Sequence, residues 1–279
     1  MRRLLKRLVL LCGAAVLLLV LYLVAVWPLP SWYRSHWPDH TAFMHLRERS
    51  AKGADTVRHY QPVPLEDISP LIRRAVLTGE DDAFYQHHGI DWRSLREALG
   101  YKRNQFNWTN ARDRGEMEKA LGHAAQRSDK LRGASTITQQ LAKNLYLSPS
   151  RNPLRKLKEA VTAYRLEWAL SKDRILALYL NVAEFGPNLW GVEAASRRYF
   201  GKSARSLTLE EAALLAATLP HPLTSNPGYH PARTRARQHL ILRRMHGDTI
   251  EVPSDEGEEK TPAPDSMPAI SPESAAPDR

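Results

Sequence analysis

The chain holds one cysteine in 279 residues, Cys12. A single thiol excludes an intrachain disulfide framework and any cysteine-rich zinc centre. Strand signals are also scarce: there is no convincing pair of alternating runs and no internal repeat. Acids are the minority charge, 30 Asp plus Glu against 40 Lys plus Arg, and the formal +10 favours anionic partners. With 43% hydrophobic and 25% charged residues, collagen-like and wholly disordered classes are excluded. Long uncharged apolar runs are lacking as well, with one exception.

That exception is residues 8–27, twenty positions without a charge. As a helix they would span about 30 Å, enough to cross the hydrocarbon core of a bilayer. Arg2, Arg3, Lys6 and Arg7 precede the run, so the positive-inside rule keeps the N-terminus cytoplasmic and sends everything after Trp27 across the membrane. No Ala-x-Ala site follows, and Leu11 is bulky where a lipoprotein signal needs a small residue before Cys12. The run therefore reads as an uncleaved anchor. At the far end, residues 251–279 carry eight acids, two bases and six of the nineteen prolines, which reads as disorder. Without them residues 1–250 hold +16. The expected organisation is a basic segment 1–7, an anchor 8–27, a juxtamembrane linker 28–59, a folded domain 60–247 and an acidic tail 248–279.

The folded part has helical punctuation throughout. Ser69 before Pro70 opens a helix over 71–77, and Asp91 caps one over 92–101. Asn152-Pro153 opens another, in which Leu154, Leu157, Val161, Tyr164 and Trp168 form an apolar stripe read as the core face. Ser171 caps 172–181, and Thr208 with Glu211 makes a capping box before a run to 219. A last helix over 231–246 carries five arginines. The fold class expected is all-α.

Three clusters could carry chemistry. Glu80-Asp81-Asp82 precedes Phe84, His87, His88 and Gly89; adjacent acids raise one another's pKa, which suits proton transfer, although a solvated acidic turn has the same composition. The run from Gly133 to Asn144 places hydroxyls at a helix start, an anion-binding arrangement, with Gln140 and Lys143 on one face. An ordinary helix cap reads the same way. In the third, Arg155-Lys156-x-x-Glu159, Glu159 lies about 200° around the helix from Leu157, with Arg151 and Lys158 nearby. The choice there is between an exposed ion pair and a basic site with one ionised carboxylate.

Taken in order, the clusters resemble the family 51 glycosyltransferase domain shared by monofunctional peptidoglycan transglycosylases and class A penicillin-binding proteins. Glu80, Asp81, Phe84, His87 and Gly89 match the first motif; residues 133–140 match the second except at Ala134; Arg155, Lys156 and Glu159 match the third. Residues 172–181 resemble the fourth, with Ala177 where an acid is usual. The resemblance covers roughly residues 60–246. It implies a lysozyme-like helical domain with a membrane-proximal jaw, which polymerises lipid II into β-1,4-linked glycan with inversion and release of undecaprenyl diphosphate. Glu80 is then the base on the attacking hydroxyl and Glu159 the second catalytic carboxylate. Asp81 is implied as a helper or metal partner. Ser135, Thr136, Gln140, Lys143, Arg151, Arg155 and Lys156 would hold the diphosphate.

The resemblance alone also implies a divalent cation, magnesium or manganese. Implied partners are lipid II, the nascent strand, the membrane and a cell-wall transpeptidase or other divisome or elongasome proteins, but no nucleic acid. The implied location is the bacterial inner membrane, single-pass, with the catalytic domain periplasmic. Only the acidic tail follows Met245, so no transpeptidase domain is expected. The connection 101–132 is longer than usual for the family and is read as a mobile flap or insertion. Its Tyr101, Phe106 and Trp108 suit either a membrane interface or a solvated loop. A glycan hydrolase with a similar fold and a non-enzymatic wall scaffold are the rival readings.

Overall fold

Caps and prolines decide where the helices begin. The computed structural model describes residues 6–7, 10–14, 17–18, 29–50, 57–98, 109–126, 135–146 and 153–250. From residue 42 onward its helices are α1 (Ala42–Ser50), α2 (Pro70–Glu80), α3 (Trp92–Ala98), α4 (Ala111–Gln126) and α5 (Ile137–Tyr146). They continue with α6 (Pro153–Ala169), α7 (Lys172–Val182), α8 (Val192–Phe200), α9 (Leu209–Thr218) and α10 (Pro231–Met245). The Ser69 hydroxyl accepts from Leu71 N–H, Ser171 from Arg174 N–H, and the reciprocal Thr208–Glu211 box is formed. Each such cap satisfies an orphan N–H and contributes about 1 kcal/mol.

The Ala/Leu-rich α9 lies between α10 and α2, with Ala212, Ala213, Leu215 and Ala216 fully buried. Its small side chains let the neighbouring helices approach closely. On the other side of the core, α5 packs against α6 and α7. The eight residues from Ile175 to Val182 in α7 are all buried. Ala177, the departure from the fourth motif, is among them, and its carbonyl accepts from Asn181 Nδ2.

Three sequence expectations meet a different structure. A small sheet is present, β1 (His59–Tyr60), β2 (Glu184–Gly186) and β3 (Leu189–Trp190), in the order β1-β3-β2. β1 and β3 are parallel, while β2 and β3 are antiparallel. Strands of two or three residues are too short to show an alternating pattern, and both residues of β3 are buried. Residues 29–50, expected as linker, pack on the domain: Met44 and Thr41 are buried, and α1 rests on α5.

The third difference is the face of α6. Leu157, Val161, Tyr164 and Trp168 are exposed, Trp168 at 91%. The buried face instead holds Glu159, Thr162, Ala163 and Leu166, continuing to Leu170 just beyond the helix. Periodicity identified an apolar stripe correctly but could not say what covers it. The side chain of Leu154 lies outside the description. Within the expected flap, α4 is helical, while 101–108 and 127–132 lie outside the described residues.

Among the described residues no helix is long and apolar enough to cross a membrane. The expected anchor falls largely outside them, although 10–14 and 17–18 are helical; the tail from 251 is outside altogether.

The reversed face of α6 makes a direct prediction for chemical denaturation. Leu166→Ala should cost about 2–5 kcal/mol, the range for large-to-small core changes. Trp168→Ala should stay within about 0.5 kcal/mol despite deleting a larger side chain. Equal losses would restore the stripe to the core.

Candidate active site

The last residue of α2 is Glu80. Its side chain is only 2% exposed, with Oε1 3.0 Å from Arg237 Nη2 of α10. Gln140 Nε2 of α5 donates to Oε2 at 2.9 Å. Tyr179 Oη donates to Gln140 Oε1 at 2.7 Å, which turns the amide so that its NH₂ group faces Glu80. The first and second motifs thus meet through Glu80 and Gln140.

Asp81 makes the second connection. Its side chain is 4% exposed and lies 2.9 Å from His87 Nε2. Ile137 N–H, the first of α5, donates to Asp81 Oδ2 at 2.9 Å. Thr136 completes the cap: its hydroxyl accepts from Gln139 N–H at 3.1 Å and donates to Gly89 O at 2.6 Å, while Gln139 Oε1 accepts from Thr136 N–H. The anion expected at this helix start is therefore supplied by the protein itself. Both Asp81 and Thr136 are engaged inside the fold. Gly89 takes φ +85°, and a Cβ there would lie 3.2 Å from the Ala163 backbone, so glycine permits the loop to sit against α6.

The third motif joins from α6. Lys156 Nζ donates to Ser135 Oγ at 2.8 Å and lies 3.0 Å from Glu159 Oε2. Glu159 is 3% exposed and Lys156 55% exposed, so the carboxylate is internal and the ammonium reaches solvent. An exposed surface pair, the sequence alternative, does not describe this geometry. Lys143 is half-buried with Nζ 5.8 Å from the Phe43 ring. Arg151 and the side chain of Arg155 lie outside the described residues, as does Ala134.

Nearby, Asp91 caps α3 and borders a cleft of about 530 Å³ with His87, Trp92, Arg93 and Tyr164. Burial pushes its carboxyl up, but the Ser94 hydroxyl, the Ser94 and Arg93 N–H groups and His87 together hold it below the usual range. A lowered carboxyl contributes stability above its ordinary titration range and loses it on acidification.

A divalent cation finds no prepared ligand set here. Asp81 spends one oxygen on a backbone N–H and faces His87 with the other, and among the described residues no group of three or more His, Cys, Asp or Glu could hold a metal. Sequence reading did not single out Arg237, Tyr179 or the Arg244–Asp82 pair. The arginine-rich last helix was the available signal, but nothing in its spacing showed which arginine turns inward.

A mostly helical domain that joins two internal carboxylates to hydroxyl, amide and cationic groups has the make-up of a carboxylate-dependent glycosyl enzyme. The chain belongs to the transglycosylase family, whose family model, described as Transglycosylase, matches residues 48–109 and 103–246. It is 38% identical over 245 residues to the biosynthetic peptidoglycan transglycosylase of Bordetella avium, covering 86% of this chain and 92% of that protein. Its identity to the protein of that name from Azoarcus sp. is 41% over 234 residues, covering 83% and 91%. To that from Acinetobacter baumannii strain ACICU it is 39% over 230 residues, covering 82% and 92%.

The buried Glu159 and the solvent-reaching Lys156 make separable demands. Lys156→Ala should melt within a few degrees of the parent yet turn over substrate about 10²-fold more slowly, the usual loss for one preorganised charge-stabilising group. Glu159→Gln keeps the shape and should be folded and comparably impaired. Thermal melting beside a turnover assay checks both; normal turnover in both variants would reduce the cluster to a structural pair.

Proposed function

We propose that this chain polymerises lipid II into β-1,4-linked glycan, releasing undecaprenyl diphosphate. The observation that carries the reading is the meeting of the three matched motifs in hydrogen-bond contact: Glu80 with Gln140, Asp81 with the start of α5, and Ser135 with Lys156 and Glu159. A glycan hydrolase has use for two carboxylates but releases no diphosphate for a cation such as Lys156 to answer. A scaffold has no need of a buried Glu80.

Glu80 accepts the proton of the sugar 4-hydroxyl as that oxygen bonds to the donor's anomeric carbon. The bond from that carbon to the diphosphate oxygen breaks, and its electron pair leaves with the diphosphate. Attack from the opposite side inverts the centre. Ser135, Lys143 and Lys156, with Arg151 and Arg155, answer the charge that develops on the leaving group. Glu159 holds Lys156 in place through the ion pair. Gln140 and Thr136 act one step back, on Glu80 and on the loop. Magnesium or manganese is implied by family resemblance alone; the residues at Asp81, engaged by a backbone N–H and His87, do not suit it.

The proposal includes a single-pass inner-membrane anchor over 8–27, a periplasmic lysozyme-like domain and a jaw at the bilayer. Supporting it, Leu29 and Trp32 at the start of the folded part are more than 60% exposed, and the turn they belong to packs against α6. The exposed stripe of α6 offers the bilayer interface Leu157, Val161, Tyr164 and Trp168. Partners in this reading are lipid II, the growing strand and a cell-wall transpeptidase or divisome or elongasome proteins.

Detergent-solubilised full chain with labelled lipid II and magnesium should yield polymer, and Glu80→Gln should slow it by about 10²–10⁴-fold, the contribution of a general base. Wild-type speed in that variant would remove Glu80 from the role. In proteoliposomes, bromine-labelled lipids should quench tryptophan emission, with part of the quenching lost in Trp168→Phe. Quenching unchanged by the substitution would take α6 away from the bilayer.

A further inference from the structure

We propose that Arg237 of α10 is a positioning residue for Glu80, fixing which carboxylate oxygen faces the acceptor hydroxyl. This rests on the reading of Glu80 as the base. The starting point is an electrostatic problem: Glu80 ends α2, where the helix dipole presents negative charge, and its side chain is 2% exposed. A desolvated carboxylate in that position needs a cation to remain ionised.

Arg237 meets the need with a single nitrogen. Nη2 donates to Glu80 Oε1 at 3.0 Å and to Gly79 O at 2.9 Å, so one group both neutralises the carboxylate and caps the end of the helix that carries it. Gly79 sits against α10: a Cβ there would lie 3.1 Å from Ile241 Cδ1 and in ordinary contact, 4.0 Å, with Arg237 Nη2. Arg237 is 11% exposed, and its Nε, buried, has no hydrogen-bond partner among the described residues. A guanidinium placed for stability alone gains most from a two-pronged grip. Here the second oxygen is left to Gln140, whose amide is held by Tyr179. The two oxygens are thus distinguished before substrate arrives.

Arg237 sets positive charge against one oxygen of Glu80 and leaves the other to the Gln140 amide. At this corner Asp81 faces His87 and Asp82 faces Arg244, and Arg237 is a cation directly on Glu80.

The test uses full-length Arg237→Gln and Arg237→Lys in the lipid II assay, with thermal melting alongside. Arg237→Gln should lower kcat by about 10- to 100-fold, the scale of a small misplacement of a reacting group, with KM changed less than about threefold. Arg237→Lys should recover only part of kcat, because an ammonium retains the charge without the guanidinium's planar geometry. If Arg237→Gln is poorly folded, the lysine variant alone carries the test. An activity loss proportional to the unfolded fraction would overturn the proposal, as would a change confined to KM. Glu80→Gln separates the two readings: activity at wild-type level there fails the base assignment itself, whereas inactivity there with a wild-type Arg237→Gln fails only the positioning role.

Discussion

A carboxylate taken out of water must be paired, and Asp81 is the one whose pairing organises this site. With its side chain 4% exposed, it faces His87 on one side and the first N–H of α5 on the other. That contact fixes the end of α2 against the beginning of α5. Glu80, one residue before, and Gln140, one turn into α5, are brought to 2.9 Å as a consequence. Thr136 ties the same helix start to Gly89. The start of α5 is thereby used internally, so charge on a substrate falls to side chains on the solvent side, Lys156 among them.

Much of this was legible in the chain. Ser69, Ser171 and the Thr208–Glu211 box mark helix starts through local hydrogen bonding, and local chemistry survives in the folded structure. The site residues were legible because the motifs keep their order and spacing: Glu80, Gln140, Ser135, Lys156 and Glu159 all meet partners from another motif or within their own. The roles of Asp81 and Thr136 were not, since a cap and an anion-binding residue look alike until the acceptor is seen.

What stayed hidden depends on distance along the chain. Arg237 reaches Glu80 across 157 positions, and Arg47 grips the buried Glu184 across 137. No periodicity connects such residues. The reversed face of α6 has a different origin. A stripe of Leu, Val, Tyr and Trp announces that something apolar is nearby, and the core and the exterior of an interfacial domain satisfy that description equally. Glu159 followed from the same ambiguity: it lies opposite the stripe as expected, and therefore inside.

One feature of the chain's beginning bears on how the domain is mounted. Arg34 Nε donates to Ala169 O at 2.7 Å, and Arg174 donates to Tyr33 O and His36 O while its guanidinium sits 3.9 Å over the Trp37 ring. The polypeptide is therefore bolted to the body within ten residues of Trp27. Residues 33–37 thus travel with the end of α6 and the start of α7 as one piece.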